Sequence, residues 1–370
     1  LARQGHRVTV YERFETPRPI GSGLMLQPPG LAALERLGLR VELEALGERI
    51  ERLHGATVNG RTIFQLNYTS LIPDLHAVAV HRAALHGVLW RAFEQSGAQL
   101  ETGQTITGVG PPLDNANLVV DASGARSPLR SWVCARKVRV FPYGAVWASV
   151  PDIGVAPAAL AQRYVAARIM IGYLPVGRIT PKGPRMAALF WSMKPADYSA
   201  WRAGFPAWRD QVTALWPELA PLVDTLTDPD ALTLADYAHF TADMLWRDNV
   251  VLIGDAAHAT SPQLGQGANH GLIDAVVLAD ALAQSDALPD ALALYARARR
   301  QHVRFYQLAS AVMTPFFQSD SRVLAMVRDL TFHRARIVPY LHREMLRTLA
   351  GLKTGLFRAG TPGSIVNCVS

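Results

Sequence analysis

The chain has 370 residues, 49% hydrophobic and 18% charged, and a formal charge of +7. Such a composition fills a large core and excludes disorder for the bulk of the chain. No apolar run reaches the ~18–20 residues of a membrane span and no signal-peptide pattern is seen, so a cytoplasmic protein is expected; the two cysteines, Cys134 and Cys368, exclude a disulfide framework and a structural zinc site.

Residues 1–4 read as a last helical turn stopped by Gly5, and residues 6–12 as a short strand ending on Glu12. In a dinucleotide-binding unit an acidic strand end follows the glycine turn by about 20 residues, so that turn and its strand are expected ahead of Leu1. A loop containing Gly21 and Gly23 leads through Pro28 and Gly30 into a helix with Leu31, Leu34 and Leu37 on one side, and residues 81–96 form a second helix stopped by Gly97. Residues 117–122 read as a buried strand, and 144–150, 164–174 and 186–193 as strands of one antiparallel sheet. Helix is expected over 201–222, strand over 249–253 and helix over 268–283. From 291 onward the pattern is helical, broken near Pro315 and Pro339. Within this tail Ile337, Tyr340, Leu341, Met345, Leu349 and Leu352 alternate with Arg334, Arg336, Arg343, Arg347 and Lys353, a basic amphipathic run expected to pack on its own domain rather than on a membrane or a partner. The class is α/β at both ends with an antiparallel insert between. The remaining arginines are scattered without aromatic interleaving, which argues against nucleic acid as partner.

The chemistry concentrates in two places. A carboxylate at the end of a strand, as Glu12 is, accepts both hydroxyls of an adenosine ribose, with Arg13 beside it; the plain alternative is a solvated strand end. The second place is the strand that stops at Gly254-Asp255, where glycine lets the backbone approach a ligand and aspartate faces sugar-alcohol hydroxyls. After Pro262, Gly265 and Gly267 free backbone N–H groups at the start of a helix containing Ala268 and Asn269, a place that favours electron-rich or anionic groups. His258 next to the turn is a weak candidate for proton transfer against an ordinary structural histidine. Ser127, Ser261 and His270 do not make a hydrolase triad, because no G-x-S-x-G elbow is present.

The segment from Gly254 to Asp274, GDAAHATSPQLGQGANHGLID, closely resembles the flavin motif of the group A FAD-dependent monooxygenases, the p-hydroxybenzoate hydroxylase superfamily. The similarity extends to the strand ending at Glu12, the glycine loop 21–30, His81-Arg82, and the run 117–127. It implies FAD held by Glu12 at the ribose, Arg82 near the ribityl chain and pyrophosphate, Asp255 at the ribityl hydroxyls and Gly265 to Asn269 against the flavin pyrimidine. It implies reduction by NADPH or NADH and addition of O2 to a flavin C4a-hydroperoxide that hydroxylates a small aromatic or polyketide-like substrate. Ser123-Gly124 stands where the family usually has Asp-Gly, so Ser123 offers a hydrogen bond without charge and makes the coenzyme reading less secure than FAD binding. The connections 107–117 and 130–143 are short for the family, so flexible pieces, and with them FAD, are expected to be missing around an empty cleft.

The architecture implied is a Rossmann-like FAD-binding domain in three parts (1–50, 76–133 and 244–312), an antiparallel-sheet substrate domain (51–75 and 134–243) and C-terminal helices (313–370). Trp147, Tyr164, Tyr173, Phe190, Trp191 and Met193 are candidates for an aromatic cavity under the flavin, with ordinary sheet core as the alternative. A halogenase or reductase of the same fold, or a flavin-free binding protein, is the rival function, and a homodimer is left open.

Overall fold

The computed structural model describes residues 1–19, 21–135, 138–335 and 337–369. Its largest element is a seven-stranded sheet in the order Thr233–His239, Arg139–Pro151, Arg185–Met193, Ile169–Arg178, Ala159–Val165, Arg52–Thr57, Thr62–Asn67. All neighbours are antiparallel except Arg52–Thr57 and Ala159–Val165, which run parallel, so the insert is a mixed sheet completed by an upstream hairpin. The single strand expected over 164–174 is two strands joined by a hairpin between Val165 and Ile169. The turn is Ala-Ala-Arg, without the Gly, Pro, Asn or Asp that usually marks one. The helix expected over 201–222 is likewise divided into Tyr198–Ala203, Phe205–Leu215 and Ala220–Thr225, with Gly204, Pro206, Pro217 and Pro221 at the junctions.

Both faces of the sheet are apolar, as alternation in a two-sided core requires. One face carries Val146, Ile171, Leu189 and their neighbours against Phe205, Trp208, Val212 and Leu222. The other carries Tyr164, Met170, Leu174 and Phe190 toward Ile273 and Val276 of the helix Gly267–Gln284 and Tyr295 and Phe317 of the helix Leu288–Phe317.

The α/β part contains two parallel pairs, Thr9–Tyr11 with Gln99–Glu101 and Val119–Asp121 with Val250–Leu252. Gly5, at φ +89, ends the first turn in the left-handed region that suits glycine. Helices Pro28–Arg36 and Arg82–Glu94 bury Leu31, Leu34, Leu85 and Val88 together. The expected gap within 107–117 is not found: turns from Gly110 to Leu113 and from Leu113 to Ala116 close the connection, and Leu113 and Ala116 pack on a buried cluster. In the other short connection, residues 136 and 137 lie outside the described residues. The tail continues through Arg322–Ala335 and Pro339–Leu349, and no described helix is long and apolar enough to cross a membrane.

Candidate functional site

The strand Val250–Leu252 is wholly buried, and two residues beyond it the backbone turns at Gly254 with φ +56 and ψ −139, a geometry that side chains other than hydrogen rarely adopt. A Cβ on Gly254 would lie 3.7 Å from Gly271 Cα, so the turn and the Gly267–Gln284 helix approach closely. The turn places Asp255 at the start of a four-residue helix, the residue open to solvent and its carboxylate without a hydrogen-bond partner among the described residues. Protein encloses the carboxylate on its other sides, and this burial pushes its pKa upward, while His258, Arg82 and Arg130 pull in the opposite direction. Its Oδ1 lies 3.9 Å from the position a Cβ would take on Gly267. A carboxylate without a partner beside a helix N-terminus is ready to accept hydroxyl donors.

The second turn begins with Pro262 in a 3-10 turn and passes through Gly265 in the left-handed region at φ +61. Asn269 fixes it from the helix: its Nδ2 donates to Gly265 O at 2.9 Å and Met25 O at 3.2 Å, and its Oδ1 accepts from Gln27 N at 2.8 Å. The Asn269 amide is therefore engaged with protein backbone, and Ala268 is half-buried against the Leu26–Leu31 cluster. Gln27 accepts from the Tyr68 hydroxyl at 2.7 Å, but its Nε2 is buried without an acceptor, 4.0 Å from where a Cβ on Gly265 would stand. Thr260 Oγ1 is also shielded and unpartnered.

Glu12 continues the pairing of its strand through its backbone N–H to Glu101 O at 2.9 Å, and its side chain accepts from Phe14 N at 3.0 Å. Arg13 is exposed over the Phe14 ring at 4.7 Å. Arg82 opens its helix beside Gly21, exposed and with no ion-pair or hydrogen-bond partner for its guanidinium among the described residues. Ser123 is exposed, but its hydroxyl is engaged: it donates to Asp121 Oδ1 at 2.5 Å, and Ser127 donates to the other oxygen of the same carboxylate.

Two sets of residues with no role assigned from sequence organise these turns. Arg130 donates to Ala256 O at 2.8 Å, Asp255 O at 3.1 Å, Ala125 O at 2.9 Å and Gly124 O at 3.1 Å, joining the serine turn to the aspartate turn. Asp274 accepts from Gly254 N at 2.8 Å, His258 Nε2 at 2.5 Å and Arg299 Nε at 2.5 Å. His258 thus sits buried in a structural network, and its ring nitrogen is spent on Asp274. Arg299 also contacts His302 and His270, and His302 reaches Gly351 O at 3.1 Å. Sequence spacing cannot show such an assembly, although the arginine that follows Ser127-Pro128-Leu129 and the acid that ends the flavin motif were visible signals.

The cavity expectation is corrected by the sheet. Tyr173, Trp191 and Met193 lie on the face packed against the Phe205–Leu215 helix, with Trp191 6.0 Å from the Trp208 ring and the Tyr173 hydroxyl bound to Asp152 at 2.5 Å. Tyr164 is on the other face but sealed between Phe64, Phe317 and Arg328. Trp147 and Phe190 remain, their rings 4.4 Å apart, and Trp147 Nε1 donates to the Tyr237 hydroxyl at 3.1 Å. Burial pushes the Tyr237 pKa up to about 12, with Trp147 and nearby Arg82 opposing. Beside them Ser22 donates to Ala148 O at 3.0 Å, Ser149 to Ser22 at 3.1 Å, and His81 Nε2 lies 2.8 Å from Ser149 Oγ. An open cleft of about 540 Å³ between Val140–Tyr143 and Pro315–Asp320 shares no residue with these groups.

Asp255 and Arg82 without partners, two turns held open by Gly254 and Gly265, and the orphaned Gln27 donor suit a dinucleotide with hydroxyl, pyrophosphate and polar ring groups, so FAD fits the donor and acceptor set. The family described as FAD binding domain matches residues 1–307. The 6-methylpretetramide 4-monooxygenase of Streptomyces rimosus is 28% identical over 99% of this chain and 93% of its own. The 2-heptyl-3-hydroxy-4(1H)-quinolone synthase of Pseudomonas aeruginosa is 27% identical over 90% of this chain and 89% of its own. The crystal structure of Klebsiella pneumoniae HpxO complexed with FAD and uric acid superposes with a TM-score of 0.74 at 20% identity, covering 92% of this chain and 90% of that one.

Proposed function

The chain belongs to the FAD binding domain family and is an FAD-dependent oxidoreductase of the group A monooxygenase type, and from that premise we propose which residues hold the cofactor and what they present to the substrate. Asp255 accepts the ribityl hydroxyls, Arg82 faces the pyrophosphate, Glu12 takes the ribose, and the Gly265–Gly267 turn meets the flavin ring through backbone N–H groups. The single observation that carries this is that the Asp255 and Arg82 side chains, opposite charges near enough to act on each other, have no hydrogen-bond or ion-pair partner among the described residues while most neighbouring polar groups are satisfied.

FAD, reduced by NADPH or NADH as is typical of the family, supplies the transfer of one oxygen atom from O2 to the substrate. The protein binds and orients. Trp147, half-buried over the Phe190 ring, offers an apolar face to an aromatic ring, and the Tyr237 hydroxyl, protonated at neutral pH, has a proton to donate. Asp274 and Arg130 hold the aspartate turn so that the carboxylate meets the ribityl chain without further ordering. The substrate is proposed to be a small or mid-sized aromatic or polyketide-like molecule, in line with the pretetramide and quinolone named for the relatives. We assign residues 1–50, 76–133 and 244–312 to the flavin domain and 51–75 and 134–243 to the substrate domain. The test is a panel of such aromatics with the FAD-loaded protein, following coenzyme oxidation, O2 uptake and product mass. Coenzyme oxidation coupled to a product one oxygen heavier is the expected result; no aromatic that accelerates coenzyme oxidation would refute the substrate assignment.

A further inference from the structure

The tail beyond the family-matched residues carries a helix with an aliphatic stripe on its outer face. On Arg322–Ala335 the solvent face presents Val323, Met326, Val327 and Leu330, spaced as one helical stripe, with Val323 63% and Met326 57% exposed. Arg328, in the middle of the same helix, points inward and is fully buried, its guanidinium 4.8 Å from the Tyr164 ring and 5.4 Å from the Phe317 ring and its NH1 3.1 Å from Phe316 O. An amphipathic surface helix normally turns its apolar stripe to the core and its charge to water. Here the inner face carries Ala325, Phe332 packed on Phe316 and Phe317, and Arg328 paired with Asp329 Oδ1 at 2.8 Å, while a second aliphatic stripe is left outside. The row continues beyond the helix end with Ile337, 72% exposed, and Tyr340 and Leu341, also exposed.

The charge of the chain is gathered in the same segment. Residues 322–358 contain eight Arg or Lys and two Asp or Glu, so they hold +6 of the total +7. Arg322 and Arg334 stand exposed at the two ends of the stripe and Arg343 beyond it. A second copy meeting this face through itself would bring two such charges together, which is unfavourable. An anionic surface suits both features. The stripe is built of Val, Met and Leu, without the central Trp, Tyr or Arg anchors that dominate protein interfaces, and it has cationic side chains at its ends, as helices lying in a membrane interface do.

We propose that this face docks on an anionic lipid surface, with Val323, Met326, Val327 and Leu330 entering the acyl boundary and Arg322, Arg334 and Arg343 over the headgroup phosphates. The face shares no residue with the flavin turns, so the inference stands apart from the functional reading.

The test sediments the FAD-loaded full chain with vesicles of equal parts phosphatidylcholine and phosphatidylglycerol, and with phosphatidylcholine alone. Binding to the anionic vesicles should exceed binding to the neutral ones roughly tenfold or more, and added salt should weaken it. Val323→Glu combined with Met326→Glu should weaken binding roughly tenfold or more, with Tm and flavin content unchanged because both side chains are mostly exposed. Equal binding to the two vesicle types, undiminished binding by the double variant, a dimer that the same variant dissolves, or retention on soluble polyglutamate without vesicle binding would each overturn the proposal.

Discussion

Asp274→Asn tests whether the buried network is what holds the flavin turn in place. The carboxylate is fully buried and takes three donors: Gly254 N at 2.8 Å, His258 Nε2 at 2.5 Å and Arg299 Nε at 2.5 Å. Burial alone would push the carboxyl up, but His258 and Arg299 outweigh it and hold it well below the usual carboxylate range. The amide of the variant has one acceptor oxygen for two separate groups of donors, so either Arg299 or the Gly254 and His258 pair meets an NH2 group. Leaving a buried guanidinium without its counter-ion costs about 3–5 kcal/mol. The lost hydrogen bond to a charged group costs about 1.5–3 kcal/mol when taken separately, and the two overlap. A loss of about 4 kcal/mol is expected, a large share of the ~5–15 kcal/mol typical of native proteins. Urea unfolding of the FAD-free protein, followed by tryptophan fluorescence, measures it, and FAD titration should show weaker binding because Gly254 is no longer anchored. An unfolding free energy within about 1 kcal/mol of the parent would refute the reasoning, since single changes outside such networks fall in that range.

Asp255→Ala should have the opposite profile: flavin lost on gel filtration, with FAD-free stability undiminished, because burial disfavours the ionised carboxylate in the fold; full flavin retention would remove Asp255 from the site. Acid sensitivity should come from the histidines. Burial first, then Arg299, lowers the His302 pKa to about 3, and His270 is shifted the same way. An unfolded histidine titrates near ~6.5, so the stability is complete above that value and is lost as pH falls toward the folded pKa, by up to about 1.4 kcal/mol per unit for each histidine. His302→Gln should flatten this slope in urea midpoints measured from neutral to mildly acid pH, and an unchanged slope would exclude His302 as its source. Gly351, at φ +79, would place a Cβ 3.1 Å from Gln266 Oε1 and 3.2 Å from Pro29 Cδ. Gly351→Ala should therefore cost about 1–3 kcal/mol, read as a lowered Tm, whereas an unchanged Tm would mean the tail turn relaxes freely.

The glycine turns of the proposed flavin site were legible in the sequence because their geometry is local. Gly254, Asp255, Gly265 and Gly267 lie at two turns and a helix start within a few residues of one another, and the positive φ of Gly254 and Gly265 is a glycine property that needs no partner to be read. The α/β class was legible for a similar reason, since strand and helix periods are written in neighbouring residues. Tertiary structure decided what depends on which surface faces which. Alternation could separate Trp147 and Phe190 from Tyr173, Trp191 and Met193, but both sheet faces are apolar, and only the packing of the Phe205–Leu215 helix shows which one is closed. Asp274 and Arg299 meet across two helices, and Arg130 reaches a turn more than a hundred residues downstream, contacts that no local period encodes. In the tail, Arg328 lies inside with Asp329 as its counter-ion at 2.8 Å, and Tyr164 and Phe317, distant in sequence, present ring faces and Phe316 a carbonyl to its guanidinium, while Val323 and Met326 face outward.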